Sequence, residues 1–184
     1  MGQVYDFEKE KLIVGVIYSD EKIYERALKM LTDEFGEIDG ESERFSFSRE
    51  FSDYYDGELG GEGQRVIFSF RDTVDPSRQA EIKKRTNEME KELSDGEGNR
   101  LINLDPGFIN PGRLMLATTK KAGFRIPLSD GIYTELTLFW ARGEWHKFPW
   151  SYRDYQSERV QKFLTETRKK YLNERKENSK KHSP

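Results

Sequence analysis

KLIVGVIY, residues 11–18, is a continuous apolar run rich in β-branched side chains. Its length suits a buried strand and is too short for a helix. Ser19 or Asp20 follows as a helix cap. Ile23, Ala27, Leu28, Leu31 and Phe35 then recur at the helical period until Gly36 closes the helix. Outward from this first βα unit, residues 38–48 alternate Phe45 and Phe47 with hydroxyl or charged neighbours and predict a second strand. Residues 50–63, rich in Asp, Tyr and Gly, predict a long loop, and QRVIFSFR (64–71) a third strand. Asp75-Pro76 supplies a cap and an N1 proline for a helix running to about Leu93. A short fourth strand follows at 100–104. The order β-α-β-β-α-β is the split pattern of ferredoxin-like folds.

Past this half, Asp105-Pro106-Gly107 reads as a type II turn, with Asp105 first a turn residue and second a ligand residue. Residues 111–119 predict a short helix. Strands at 124–128 and 132–140 flank Ser129-Asp130-Gly131, and a further strand lies near 145–148. A three-residue loop at 129–131 sets Ile126 opposite Thr134, Phe124 opposite Leu136 and Arg125 opposite Glu135, with Gly131 left-handed. The last helix spans about 157–173, placing Val160, Phe163, Leu164, Thr167 and Tyr171 on one face. The expected fold is α+β: a mixed sheet with a ferredoxin-like βαββαβ start, an appended antiparallel meander and a C-terminal helix. Residues 1–173 form one domain, and 174–184 form a polar tail expected to fray.

Composition bounds the function classes. Of 184 residues, 34% are hydrophobic and 35% charged, so the chain is polar, yet its apolar residues cluster into runs that can build a core. The longest of these falls far short of the ~20 residues that span a bilayer, and no secretory leader is visible; a cytoplasmic protein is expected. The absence of cysteine excludes disulfides, iron–sulfur clusters and thiolate zinc sites. Residues 1–99 carry 14 basic and 25 acidic side chains, whereas 100–184 carry 17 and 9. Attraction between these halves within one fold is favoured over a basic face for an anionic partner.

Several segments together carry a resemblance: LIVGVIYSDE near the start, DYY at 53–55, NLDPGF at 103–108, LATTK at 116–120, GIYTELTL at 131–138 and PWSYRDYQS at 149–157. They resemble a bacterial and archaeal family of uncharacterised proteins, the domain of unknown function 4416, over nearly the whole chain. That resemblance implies family membership and no activity. A GTP-binding label borne by some such proteins finds no support, because Gly57, Gly60, Gly61 and Gly63 are not followed by the Lys-Ser or Lys-Thr of a P-loop.

Reactive chemistry is sparse. His146 and His182 are the only histidines, so neither a histidine zinc site nor a Ser-His-Asp triad is expected. Carboxylates remain. Asp53, Asp56, Glu58, Asp105 and Glu135 lie near strand ends or aromatics, and a converging set of three would suit magnesium or manganese. The aromatics of 149–155 are read as packing the last helix rather than stacking bases. The basic residues of that helix are broken up by Glu158, Glu166 and Glu174 and read as a solvated face. The expected function is small-ligand binding, enzymatic or not, in a carboxylate-lined pocket, with Asp53, Asp105, Arg125 and Glu135 as ligand residues. The partner would be a small anion or a divalent cation; the cofactor is not specified. The alternative is a nucleic-acid- or protein-binding module using the basic C-terminal half.

Overall fold

Strand β1 (Glu10–Tyr18) is buried at every position, which requires neighbours on both edges and cover on both faces. In the computed structural model, which describes residues 2–181, β4 (Gln64–Val74) flanks it on one edge and β5 (Ile102–Ile109) on the other, both antiparallel. Outside β4 lie β2 (Ile38–Glu41) and the short β3 (Phe45–Ser46). Outside β5 follow β6 (Arg113–Thr118) and β8 (Tyr133–Ala141), and β8 is bordered by β7 (Ile126–Pro127) and β9 (Glu144–Lys147). The strands form one sheet in the order β2-β4-β1-β5-β6-β8-β7, with β3 on β4 and β9 on β8. Every described pairing is antiparallel, so the expected mixed sheet is corrected to an antiparallel one.

Side-chain alternation along these strands divides the core between the two faces. Leu12, Val14, Val16, Phe68 and Leu104 pack with Tyr24, Ala27 and Leu31 of helix α1 (Glu21–Phe35). Two short helices, α2 (Phe47–Glu50) and α3 (Asp56–Leu59), precede β4, and α4 (Gln79–Glu92) joins the α1 face through Ile82 and Met89. On the opposite face Ile13, Ile67, Leu114 and Leu138 pack with Val160, Phe163 and Leu164 of α5 (Glu158–Lys181). Asp20 caps α1, accepting from the N–H groups of Lys22 and Ile23 at 2.7 and 3.2 Å; Asp75 accepts from Ser77 N–H at 2.8 Å and caps the 3-10 turn Pro76–Arg78 that leads into α4.

Four local expectations are overturned. Asp105-Pro106-Gly107 lies inside β5 and not in a turn, because β1 pairs with all of residues 102–109. Residues 113–118 form a strand, since pairing with β5 and β8 outweighs the helical propensity of Leu, Met and Ala. The strand expected at 38–48 divides into β2, β3 and α2, whose first turn is capped by Ser46 accepting from Arg49 N–H. Helix α5 continues past its expected end at 173 through Lys181, with Glu174 paired to Lys11 and Arg175 to Glu8; residues 182–184, with His182, lie outside the described part. The hairpin register is as expected, with Ile126 opposite Thr134. Its tip has positive φ at both Asp130 and Gly131, a primed turn closed by Ile132 N–H donating to Ser129 C=O.

Candidate functional site

Strands β5 and β6 pair only at Gly107, Phe108 and Ile109, and then part. Gly107 is required at the parting point: a Cβ there would lie 2.5 Å from the Leu116 side chain and 2.7 Å from Met115 C=O. Beyond it, the β5 edge that β6 abandons must find other hydrogen-bond partners. Helix α4 provides them. Glu90 accepts from Leu104 N–H at 2.6 Å, and Lys83 Nζ donates to Leu104 C=O at 2.8 Å. Pro106, two residues on, presents the same edge and has no N–H to strand. The Asp-Pro-Gly sequence thus builds a fork in the sheet.

A cavity of about 600 Å³ occupies this fork. Its floor is made by Arg65, Lys83, Asn103, Asp105, Asp154 and Tyr155. Asn103 and Asp105, two apart on β5, share a face, and Asn103 Nδ2 donates to Asp105 Oδ2 at 2.6 Å. Two cations stand near the same carboxylate without bonding to it: Lys83 Nζ at 3.6 Å and Arg65 Nη1 at 3.7 Å. Desolvation works against the charged Asp105, but Lys83 and Arg65, together with the Asn103 hydrogen bond and Arg100, outweigh it and hold the carboxyl below its usual range. Its side chain is 30% exposed, so an ionised acceptor faces the cavity with its countercharges behind it.

Arg65 is 1% exposed. Its Nη2 donates to Tyr155 OH at 3.0 Å and lies 3.2 Å from Asp154 Oδ2, while Nε and Nη1 are buried with no hydrogen-bond partner. Gly15, opposite Asp105 in the register, is the slot for this guanidinium: a Cβ at Gly15 would lie 2.6 Å from Arg65 Nη2. That explains the one glycine in an otherwise continuous apolar run. Burial pushes the Asp154 carboxyl upward, opposed by Arg65.

The cavity's remaining lining includes Tyr55, Tyr152, Lys91, Arg100 and Lys120. Arg100 pairs with Glu58 at 2.8 Å and with Glu90 at 3.3 Å. Lys91 and Lys120 have no ion-pair partner among the described residues; Lys120 Nζ rests 5.1 Å from the centre of the Tyr54 ring. Burial pushes the Tyr152 hydroxyl up to about 12 and that of Tyr55 higher still.

Of the four residues singled out from sequence, Asp105 lies on the cavity floor. Arg125 and Glu135 pair at 2.7 Å, both side chains nearly inaccessible, and stand behind the wall; Arg125 Nη2 donates to the Tyr152 hydroxyl at 3.0 Å. Burial pushes the Glu135 carboxyl up, and its Oε1 has no partner. Asp53 is exposed and away from the cavity lining. Sequence reasoning passed over Arg65, Lys83, Glu90 and Asp154. Two signals pointed to the first three: Arg65 falls in register with Ile67 on an inward strand face, and Lys83, Asn87 and Glu90 recur at helical spacing along α4. Nothing in the sequence marked Asp154. Among the described residues no three acidic or histidine side chains converge to hold a metal ion, and no helix is long and apolar enough to cross a membrane.

Fold and site together define an α+β protein with an antiparallel sheet that splits around a polar cavity. The chain belongs to the family described as Domain of unknown function (DUF4416), which matches residues 8–171. No curated protein and no solved structure matches it.

Proposed function

We propose that this is a cytosolic small-ligand-binding protein, and that Asp105 is the group its ligand touches. One observation supports this above the others. An ionised carboxylate faces the cavity with a single hydrogen bond, from Asn103, while two buried cations stand 3.6 and 3.7 Å away without bonding to it. A carboxylate has about four lone-pair sites, so Asp105 keeps acceptor capacity for a bound molecule. A volume of about 600 Å³ also falls within the range of small-molecule sites. The order β2-β4-β1-β5, with α1 and α4 in the connections, supports a ferredoxin-like reading of the first half.

The alternative, a nucleic-acid- or protein-binding module using the basic C-terminal half, is less well supported. Much of that charge is spent inside the fold: Arg100 on Glu58, Arg113 on Glu10, Arg159 on Glu50 and Arg175 on Glu8. Native mass spectrometry of the purified protein tests the reading. A small-molecule adduct of fixed mass is expected on the wild type and absent from a normally folded Asp105→Asn variant. An adduct that survives Asp105→Asn, or a wild type that binds nothing from a metabolite library, contradicts it.

A further inference from the structure

Resting on that reading, we infer the class of ligand: a hydroxylated phosphomonoester, such as a sugar or polyol phosphate. The cavity differs in chemistry from its floor to its rim, and each part selects one portion of the molecule. At the floor, Asp105 offers an acceptor and Asn103 sits beside it as an amide. A ligand donor placed on Asp105 enters a carboxylate already flanked by Lys83 and Arg65. An ammonium placed there would stand directly beside the Lys83 and Arg65 cations, and like charges at such distances repel in a buried site. A hydroxyl donates to the same oxygen at no such cost. The Asp105–Asn103 pair, an acceptor next to an amide on one strand face, also suits neighbouring hydroxyls, which both donate and accept.

Lys91 and Lys120 line the same cavity as cations without an acidic partner among the described residues. The other cations lining it, Arg65, Lys83 and Arg100, all face carboxylates. Two unpartnered lysines match the charge of a phosphomonoester, about −1.5 to −2 at neutral pH, better than the single charge of a carboxylate. The rings of Tyr55 and Tyr152 also line the cavity, and the carbon frame of a sugar would lie against them. The ligand is therefore oriented, with hydroxyls at Asp105 and phosphate at the lysines.

Isothermal titration with glucose 6-phosphate, ribose 5-phosphate and glycerol 3-phosphate tests this, with glucose, inorganic phosphate, gluconate and glucosamine as comparisons. At least one of the three phosphates is expected to bind about tenfold or more tightly than inorganic phosphate and than the unphosphorylated or carboxylate compounds. Lys120→Gln and Lys91→Gln, both at exposed positions, should each weaken that binding several-fold without lowering the melting temperature. Asp105→Asn should weaken it about tenfold. If none of the three phosphates binds, or gluconate or glucosamine binds more tightly, the assignment of class is wrong. Persistence of an Asp105-dependent adduct in native mass spectrometry then shows that the site stands and only the class has failed. Loss of that adduct as well removes the site itself.

Discussion

Two of the cations buried against this sheet, Lys11 and Arg65, are held in opposite ways. Lys11, fully inaccessible, meets Asp39 at 2.6 Å, Arg71 C=O at 3.1 Å and Glu174 at 3.2 Å, so each of its protons has an acceptor. Asp39 in turn accepts from Ser69 Oγ at 2.6 Å, and Lys170 donates to its main-chain carbonyl. This network is closed, and it ties β1, β2 and α5 together. Arg65 is as deeply buried, yet two of its nitrogens have no partner and its nearest exposed carboxylate, Asp105, stands beyond hydrogen-bonding distance. A closed network does structural duty. An open one, bordering a cavity, leaves polar groups for something else to satisfy.

The contrast can be broken by substitution, beginning with the largest expected effect. Lys11→Met removes the buried cation that Asp39 and Glu174 share and should cost about 3–5 kcal/mol in a urea melt. A loss below about 1 kcal/mol would remove Lys11 as the structural member of the comparison. Glu135→Gln leaves Arg125 an acceptor but no countercharge, and should cost about 1.5–3 kcal/mol; a shift within error would place the pair among ordinary surface contacts. Gly15→Ala drives a methyl into the Arg65 guanidinium and should cost about 1–3 kcal/mol. If the alanine variant is as stable as the wild type, the slot does not fix Arg65.

The smallest stability effect is expected at Asp105. Its carboxyl is held low by Lys83 and Arg65 in the folded state. Its stabilising contribution is therefore present above the ordinary carboxylate pKa and lost as pH falls through the lowered folded value. With its side chain 30% exposed, solvent screening limits that contribution, and Asp105→Asn should cost only about 1 kcal/mol at pH 7. Melts at pH 7 and pH 3 check this, because the difference between variant and wild type should shrink at the lower pH. A difference that grows in acid would mean that Asp105 is not the ionised group described.

These differences also mark what could be read from sequence. Period and caps located β1, α1, β4 and α4, since apolar spacing and an Asp cap act locally. The hairpin register of Ile126 and Thr134 was legible for the same reason. The fork was not. Asp-Pro-Gly has the composition of a turn, and only the departure of β6 from β5 makes a proline acceptable in an interior strand. Asp105 was singled out from its neighbours in sequence, whereas Arg65 and Lys83 reach it from β4 and α4, a tertiary fact. Asp53 misled because a carboxylate beside tyrosines resembles a site in sequence; here Tyr55 lines the cavity and Asp53 faces solvent.

The central claim is that the space around Asp105 is left open for a ligand rather than left over by packing. A high-resolution crystal structure of the protein as purified tests it most directly. The account predicts a bound molecule within hydrogen-bond distance of the Asp105 carboxylate, with Arg65 Nη1 and Lys83 still flanking that carboxylate. A collapsed cavity with Arg65 Nη1 donating directly to Asp105 would make the cluster a second closed network like that of Lys11, and would contradict it.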